Sequence, residues 1–227
     1  MRKIIYVVLF TGITIASFAG AKKEIQSIIK NDVSSKKFQQ KNKSIDLLIE
    51  KGKKCESKKK YDQAMKCYKE ALKTADKLFG EDSTAAAMVY TSMGTLFLNK
   101  GDKLKAADLF VKSADIFKKS MGAMLKPQAG KLLLLQAGFI YFESQKFKMA
   151  YQTLEKIKND LKYLSAKEKE EYLDKYYRYL ALALYNERKY SKAVFFLKYS
   201  RNLEMAKKTV NFEELAVINL FLGISYL

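Results

Sequence analysis

Small residues return along this chain at a nearly constant interval. Gly52, Gly94, Gly138, Ala181 and Gly223 each fall within a stretch of helical periodicity, at spacings of 42, 44, 43 and 42 residues. After each of the first four comes an alanine, at Ala64, Ala106, Ala150 and Ala193, followed four residues later by Tyr68, Phe110, Leu154 or Leu197. Glycine inside a helix costs about 1 kcal/mol against alanine. Keeping it mid-helix needs a compensating contact, and the close crossing of two antiparallel helices is the natural one. Each unit therefore reads as helix, short polar turn, helix. A single pair cannot bury its apolar face, so stacking of pairs supplies the core. Units are expected at 44–80, 86–122, 130–163 and 171–206, with a partial one at 212–227. In the partial unit, Leu215, Ile218, Leu222 and Tyr226 are expected to face the position of the next helix.

Composition agrees with an all-α chain. One proline and ten glycines in 227 residues leave little material for a turn-rich β fold. The net charge is +19, yet only Arg2, Arg178, Arg188 and Arg201 among the 43 basic residues are arginine. Arginine's planar fork is the usual tool for reading phosphates and base edges. A lysine-dominated excess points to a solvated surface or to diffuse attraction toward anionic polymers and headgroups, and away from specific nucleic-acid recognition.

Enzyme chemistry has few tools here. Histidine is absent, which removes the commonest general base and metal ligand. Cys55 and Cys67 are too few for a structural zinc site. On opposing helices, most of two turns out of register, they are expected to remain unpaired thiols. No glycine-rich phosphate loop or nucleophile elbow appears. The expectation is a non-catalytic chain with no cofactor and no metal.

The N-terminus has the build of an export signal. Arg2 and Lys3 precede an uncharged apolar stretch from Ile4 to Phe18, and Ala19 and Ala21 provide a small-x-small cleavage pattern. Residues 1–21 are read as a signal peptide, and the mature chain as periplasmic, surface-bound or secreted. Residues 22–43 follow as a basic tether or marginal helix. From Lys22 to Lys60 there are thirteen lysines against five acids.

The repeated unit resembles the tetratricopeptide repeat, whose signature is Leu-Gly-x2-Tyr in the first helix and Ala-x3-Phe in the second. LGISY (222–226), AGFIY (137–141) and MGTLF (93–97) match the first part; AMKCY (64–68), AADLF (106–110), AYQTL (150–154) and AVFFL (193–197) match the second. The family's usual period is about 34 residues. The longer period here, with the segment DKLFGEDSTAA (76–86), looks like the kinesin light chain class of these repeats. HEAT and armadillo arrays share a period of about 40–47 residues but lack the alanine-to-ring motif after a polar turn. The resemblance implies a right-handed α-solenoid of about four and a half repeats that binds a peptide or helix along a concave groove of first helices. Groove positions are then expected at Leu135, Phe139, Phe142, Arg178, Tyr179, Leu182, Tyr185, Leu220, Phe221 and Ile224, with more polar ones at Ile49, Lys53, Thr91, Thr95 and Asn99; the alternative is that the rings of this strip pack between long neighbouring helices. Some members clamp a chaperone's C-terminal carboxylate. The matching places here, Ile49, Lys53, Ser92, Leu132 and Gln136, lack that chemistry.

The expected partner is thus a protein or peptide of the envelope or the secreted pool. An alternative is an electrostatic adaptor to an anionic polymer or membrane surface through the lysine-rich N-terminal region. The apolar C-terminal partial unit offers a further route, to self-association.

Overall fold

The computed structural model describes residues 36–121, 128–207 and 210–225. The export signal and residues 22–35 lie outside them. Among the described residues there are nine α-helices, one short 3-10 helix and no strand. The helices are α1 (Lys36–Ser57), α2 (Tyr61–Phe79), α3 (Thr84–Lys100), α4 (Lys103–Met121), α5 (Gln128–Glu143), α6 (Phe147–Glu155), α7 (Ala166–Asn186), α8 (Tyr190–Met205) and α9 (Phe212–Ser225). The 3-10 segment Lys158–Tyr163 follows α6. Each helix packs on its neighbours in sequence, α1 on α2 through to α8 on α9. This is an α-solenoid.

The small residues lie where the crossings are tightest. A Cβ built on Gly52 would stand 2.4 Å from Tyr68 Cε1, and one on Gly94 would stand 2.6 Å from Phe110 Cε1. On Gly138 it would meet Leu154 Cδ2 at 2.5 Å. Tyr68, Phe110, Leu154 and Leu197 are fully buried, as are Ala64, Ala106, Ala150, Ala181 and Ala193. Gly223 differs: it is exposed and nothing comes within 4 Å of it.

The turn inside each unit repeats in backbone detail. Lys59, Gly101, Gln145 and Arg188 occupy the left-handed region, with φ of 57°, 91°, 59° and 59°. The following amides reach back across the helix end, Lys60 to Cys55 O, Asp102 to Phe97 O, Lys146 to Tyr141 O and Lys189 to Leu184 O. This satisfies carbonyls that the ending helix leaves open. Only the second unit uses glycine there. The others hold a long polar residue against a cost of about 1–2 kcal/mol, so the sequence alone does not mark the left-handed position.

Two boundaries differ from expectation. The first helix starts at Lys36, eight residues before the expected limit at Ser44. Lysine and glutamine are good helix formers, and they carry the helix upstream although apolar periodicity has faded. The third unit's second helix, α6, is only nine residues long and tightens into the 3-10 turn. Ser165 then starts α7 with a capping box: its hydroxyl accepts from Glu168 N, while the Glu168 carboxylate accepts from Ser165 N at 2.6 Å.

Candidate partner-binding face

The curvature of the stack follows from which helices approach each other. The first helices touch across units, α1 to α3, α5 to α7 and α7 to α9, while among the described residues the second helices make no comparably dense contact with one another. The face lined by first helices is therefore the inner, concave one.

Close approach on that side has a consequence for the rings. Leu135, Phe139, Phe142, Arg178, Tyr179 and Leu182 were all expected to line an open groove, and all are buried. From Lys131 to Phe142, α5 is buried at every position except the half-buried Gln136. Phe142 stacks on Tyr179 with centroids 4.5 Å apart, and Phe139 meets the same ring edge-on at 5.2 Å. Among the more polar positions, Ile49 and Thr95 are buried as well, and Thr91 pairs with Ser113 at 2.8 Å. The ring-rich strip is packing between neighbouring first helices. Tyr185 is half-buried beside Phe221, which is itself buried. Leu220 and Ile224 remain exposed.

The last helix is also rotated from expectation. Ile218 and Leu222 are buried against the preceding unit, so they do not face the open end. The exposed stripe is Ala216, Asn219, Leu220, Gly223 and Ile224.

An ionic layer covers the rings. Lys175 of α7 is half-buried, its ammonium 4.8 Å from the Phe139 centroid and 5.4 Å from that of Tyr179. Glu143, at the end of α5, is half-buried near the Tyr179 phenol, and its Oε1 is buried without a hydrogen-bond partner among the described residues. Next along the face, Arg178 donates to Glu214 of α9 at 2.8 Å. Sequence reasoning missed Glu143, Lys175 and Glu214. The signal was available for two of them: Glu143 lies one helical turn after Phe139, and Lys175 one turn before Tyr179.

Burial pulls the Lys175 ammonium down to about 8, against the attraction of Glu143. The same burial pushes the Glu143 carboxyl up, opposed by Lys175 and Lys103 and by the nearby Tyr179 phenol. With dimethylated lysines, the carbon-13 resonance assigned to Lys175 by Lys175→Arg is expected to titrate about two pH units below those of the exposed lysines. Lys175 titrating with the bulk of the lysines would show that its amine is solvated. The sign for stability follows. Between pH 8 and the ordinary 10.5 the unfolded chain holds the extra proton, so this group's penalty on folding fades as pH rises through that window.

Behind this face, α7, α8 and α9 are tied by a second ionic cluster. Asp174 accepts from Ser200 Oγ at 2.6 Å and from Lys207 at 3.3 Å. Glu204, fully buried, pairs with Lys207 and accepts from Asn211 N at 2.7 Å. The carboxylates of Asp174, Glu204 and Glu214 lie within 4.8 Å of one another. Arg178 and Lys207 already supply the positive charge this trio needs. Cys55 is half-buried and Cys67 buried, and both are free thiols.

The curved stack of helix pairs defines the protein as a helical repeat array. Residues 52–119 match the family model of the tetratricopeptide repeat. That family generally serves as a non-catalytic scaffold for protein partners. Among solved structures it is similar to the crystal structure of BtubC (BKLC) from P. vanneervenii, with a TM-score of 0.55 and 15% identity over 93% of this chain and 81% of that one. At that identity the likeness concerns the fold. No curated protein matches the sequence.

Proposed function

We propose that the chain is an exported, non-catalytic scaffold that holds a peptide or helix of an envelope or secreted partner along its inner face. Export rests on the N-terminal charged, apolar and small-residue pattern. The observation that carries the binding reading is the pair Glu143 and Lys175. They are half-buried charges of opposite sign on adjacent first helices, set over a rigid floor of rings. Both are held in place before a partner arrives, which lowers the ordering cost of binding. Their partial burial strengthens a charge-assisted hydrogen bond to a peptide relative to one made in water.

The double change Glu143→Gln with Lys175→Met tests this. It removes both charges together, so neither is left buried alone. Far-UV circular dichroism is expected to stay unchanged. Capture of the partner from envelope extracts of the exporting cell, quantified by mass spectrometry, is expected to fall about tenfold or more, as for loss of an interface hot spot. Undiminished capture by the folded double variant would place the contact elsewhere.

A further inference from the structure

The outer surface of the fourth unit carries a feature the other units lack. Two and six residues after the packing alanine, α2 has Lys66 and Glu70, α4 has Asp108 and Lys112, and α6 with its C-terminal cap has Gln152 and Lys156. All six are exposed. In α8 the same places hold Phe195 and Tyr199, which are 64% and 46% exposed. Stacking of the repeats does not require rings at these positions, since three units manage with polar side chains.

The rings form a continuous cluster. Phe195 meets Phe196 edge-on at 5.2 Å, Phe196 stacks on Tyr177 at 5.9 Å, and Tyr177 lies 4.5 Å from Tyr199. Lys192 and Lys198 are exposed on the same helix, and the helix's single acid, Glu204, is fully buried. The nearest exposed acid on α7 along this side is Glu170, two turns before Tyr177, or about 10 Å away along the axis. The patch thus combines projecting rings with positive charge and no exposed acid of its own helix. It lies on a second helix, on the outer side of the curve, so its shape is a ridge.

We propose that this ridge docks the protein on an anionic lipid surface, with Phe195 and Tyr199 seated at the headgroup level and Lys192 and Lys198 against lipid phosphates. A ridge matches a flat bilayer interface, whereas a peptide or an extended sugar chain needs a groove to bury its sides. Aromatic side chains favour the membrane–water boundary, and basic residues beside them are drawn to anionic headgroups. The net charge of +19 steers the whole molecule toward such a surface. Among the described residues no helix is long and apolar enough to cross a membrane, so the contact they make is peripheral.

The chain has no tryptophan, so Phe195→Trp installs a single reporter. With phosphatidylglycerol–phosphatidylcholine vesicles, its emission is expected to shift to the blue and to be quenched by brominated lipid. Pure phosphatidylcholine vesicles are expected to leave it unchanged. Phe195→Ser with Tyr199→Ser, both on exposed sites, is expected to weaken vesicle co-sedimentation about tenfold at unchanged helicity. The same vesicles are offered to a chain whose lysines at 22, 23, 30, 36, 37, 41 and 43 are changed to glutamine, which separates this ridge from the N-terminal region. An unshifted reporter on sedimented protein, or full binding without the two rings, overturns the proposal and hands attachment to the N-terminal lysines. Equal affinity for an acidic polysaccharide such as alginate, blue shift included, also overturns it.

Discussion

Phe110→Ala should cost about 3–5 kcal/mol, as expected for emptying a fully buried aromatic site. The ring does more than fill space: its edge closes the crossing of α3 and α4 over Gly94. The informative experiment is therefore a cycle with Gly94→Ala. In the intact protein a methyl at residue 94 would lie 2.6 and 2.8 Å from ring carbons of Phe110. Overpacking of this kind costs about 1–3 kcal/mol. Alanine's better helix propensity returns about 1 kcal/mol, so the net change is a loss. With the ring removed, the nearest remaining contact is the Ala106 carbonyl at 3.3 Å, and the loss should largely vanish. The two changes should couple by about 1–2 kcal/mol in urea unfolding. The same substitution at Gly223, which meets nothing, should stabilise or be neutral. Simple additivity of Gly94→Ala and Phe110→Ala would mean that the tight crossing is absent in solution.

Arg178→Met is the second large effect. Arg178 is 8% exposed and joins α7 to α9 through Glu214, with Asp174 at 3.8 Å on its other side. Glu214 is half-buried, so removing Arg178 leaves a partly solvated carboxylate without its charged hydrogen-bond partner, at a cost of roughly 1.5–3 kcal/mol. Adding Glu214→Gln to the same chain should restore part of that, because the stranded charge is then gone. In a repeat array each unit contacts mainly its neighbours, so the damage should be local. Hydrogen exchange should show amides of α7 to α9 losing protection while α1 to α4 keep theirs. A uniform loss over all units would mean that the stack unfolds as one body and that this cluster is not a local clasp.

The inner face shows how burial and sequence pattern come apart. Phe139, Phe142, Tyr179 and Leu182 sit on the side of their helices that a groove reading selects, and that reading placed them in contact with a partner. The helices curve inward until α5 and α7 touch, and the rings close over one another. What remains for a partner is the layer one turn away, Glu143 and Lys175. Charged residues on a helix are usually just solvated, so their spacing of one turn from Phe139 and Tyr179 was the only trace these two left in the one-dimensional pattern.

The tight crossings were legible because they leave a chemical trace. Antiparallel helices can approach closely only where a side chain is missing, so glycine or alanine must recur beside a large apolar partner, and residues 52, 94, 138 and 181 show it. The turns were legible as short polar stretches, but their left-handed residues were not, since Lys59, Gln145 and Arg188 take a backbone conformation that glycine alone would have advertised. The tertiary structure decided the rest: how far neighbouring units close on one another, and hence which apolar residues become floor and which charges become surface. That depends on the angle and distance between helices far apart in the chain, a property of the whole stack that periodicity within one helix cannot encode.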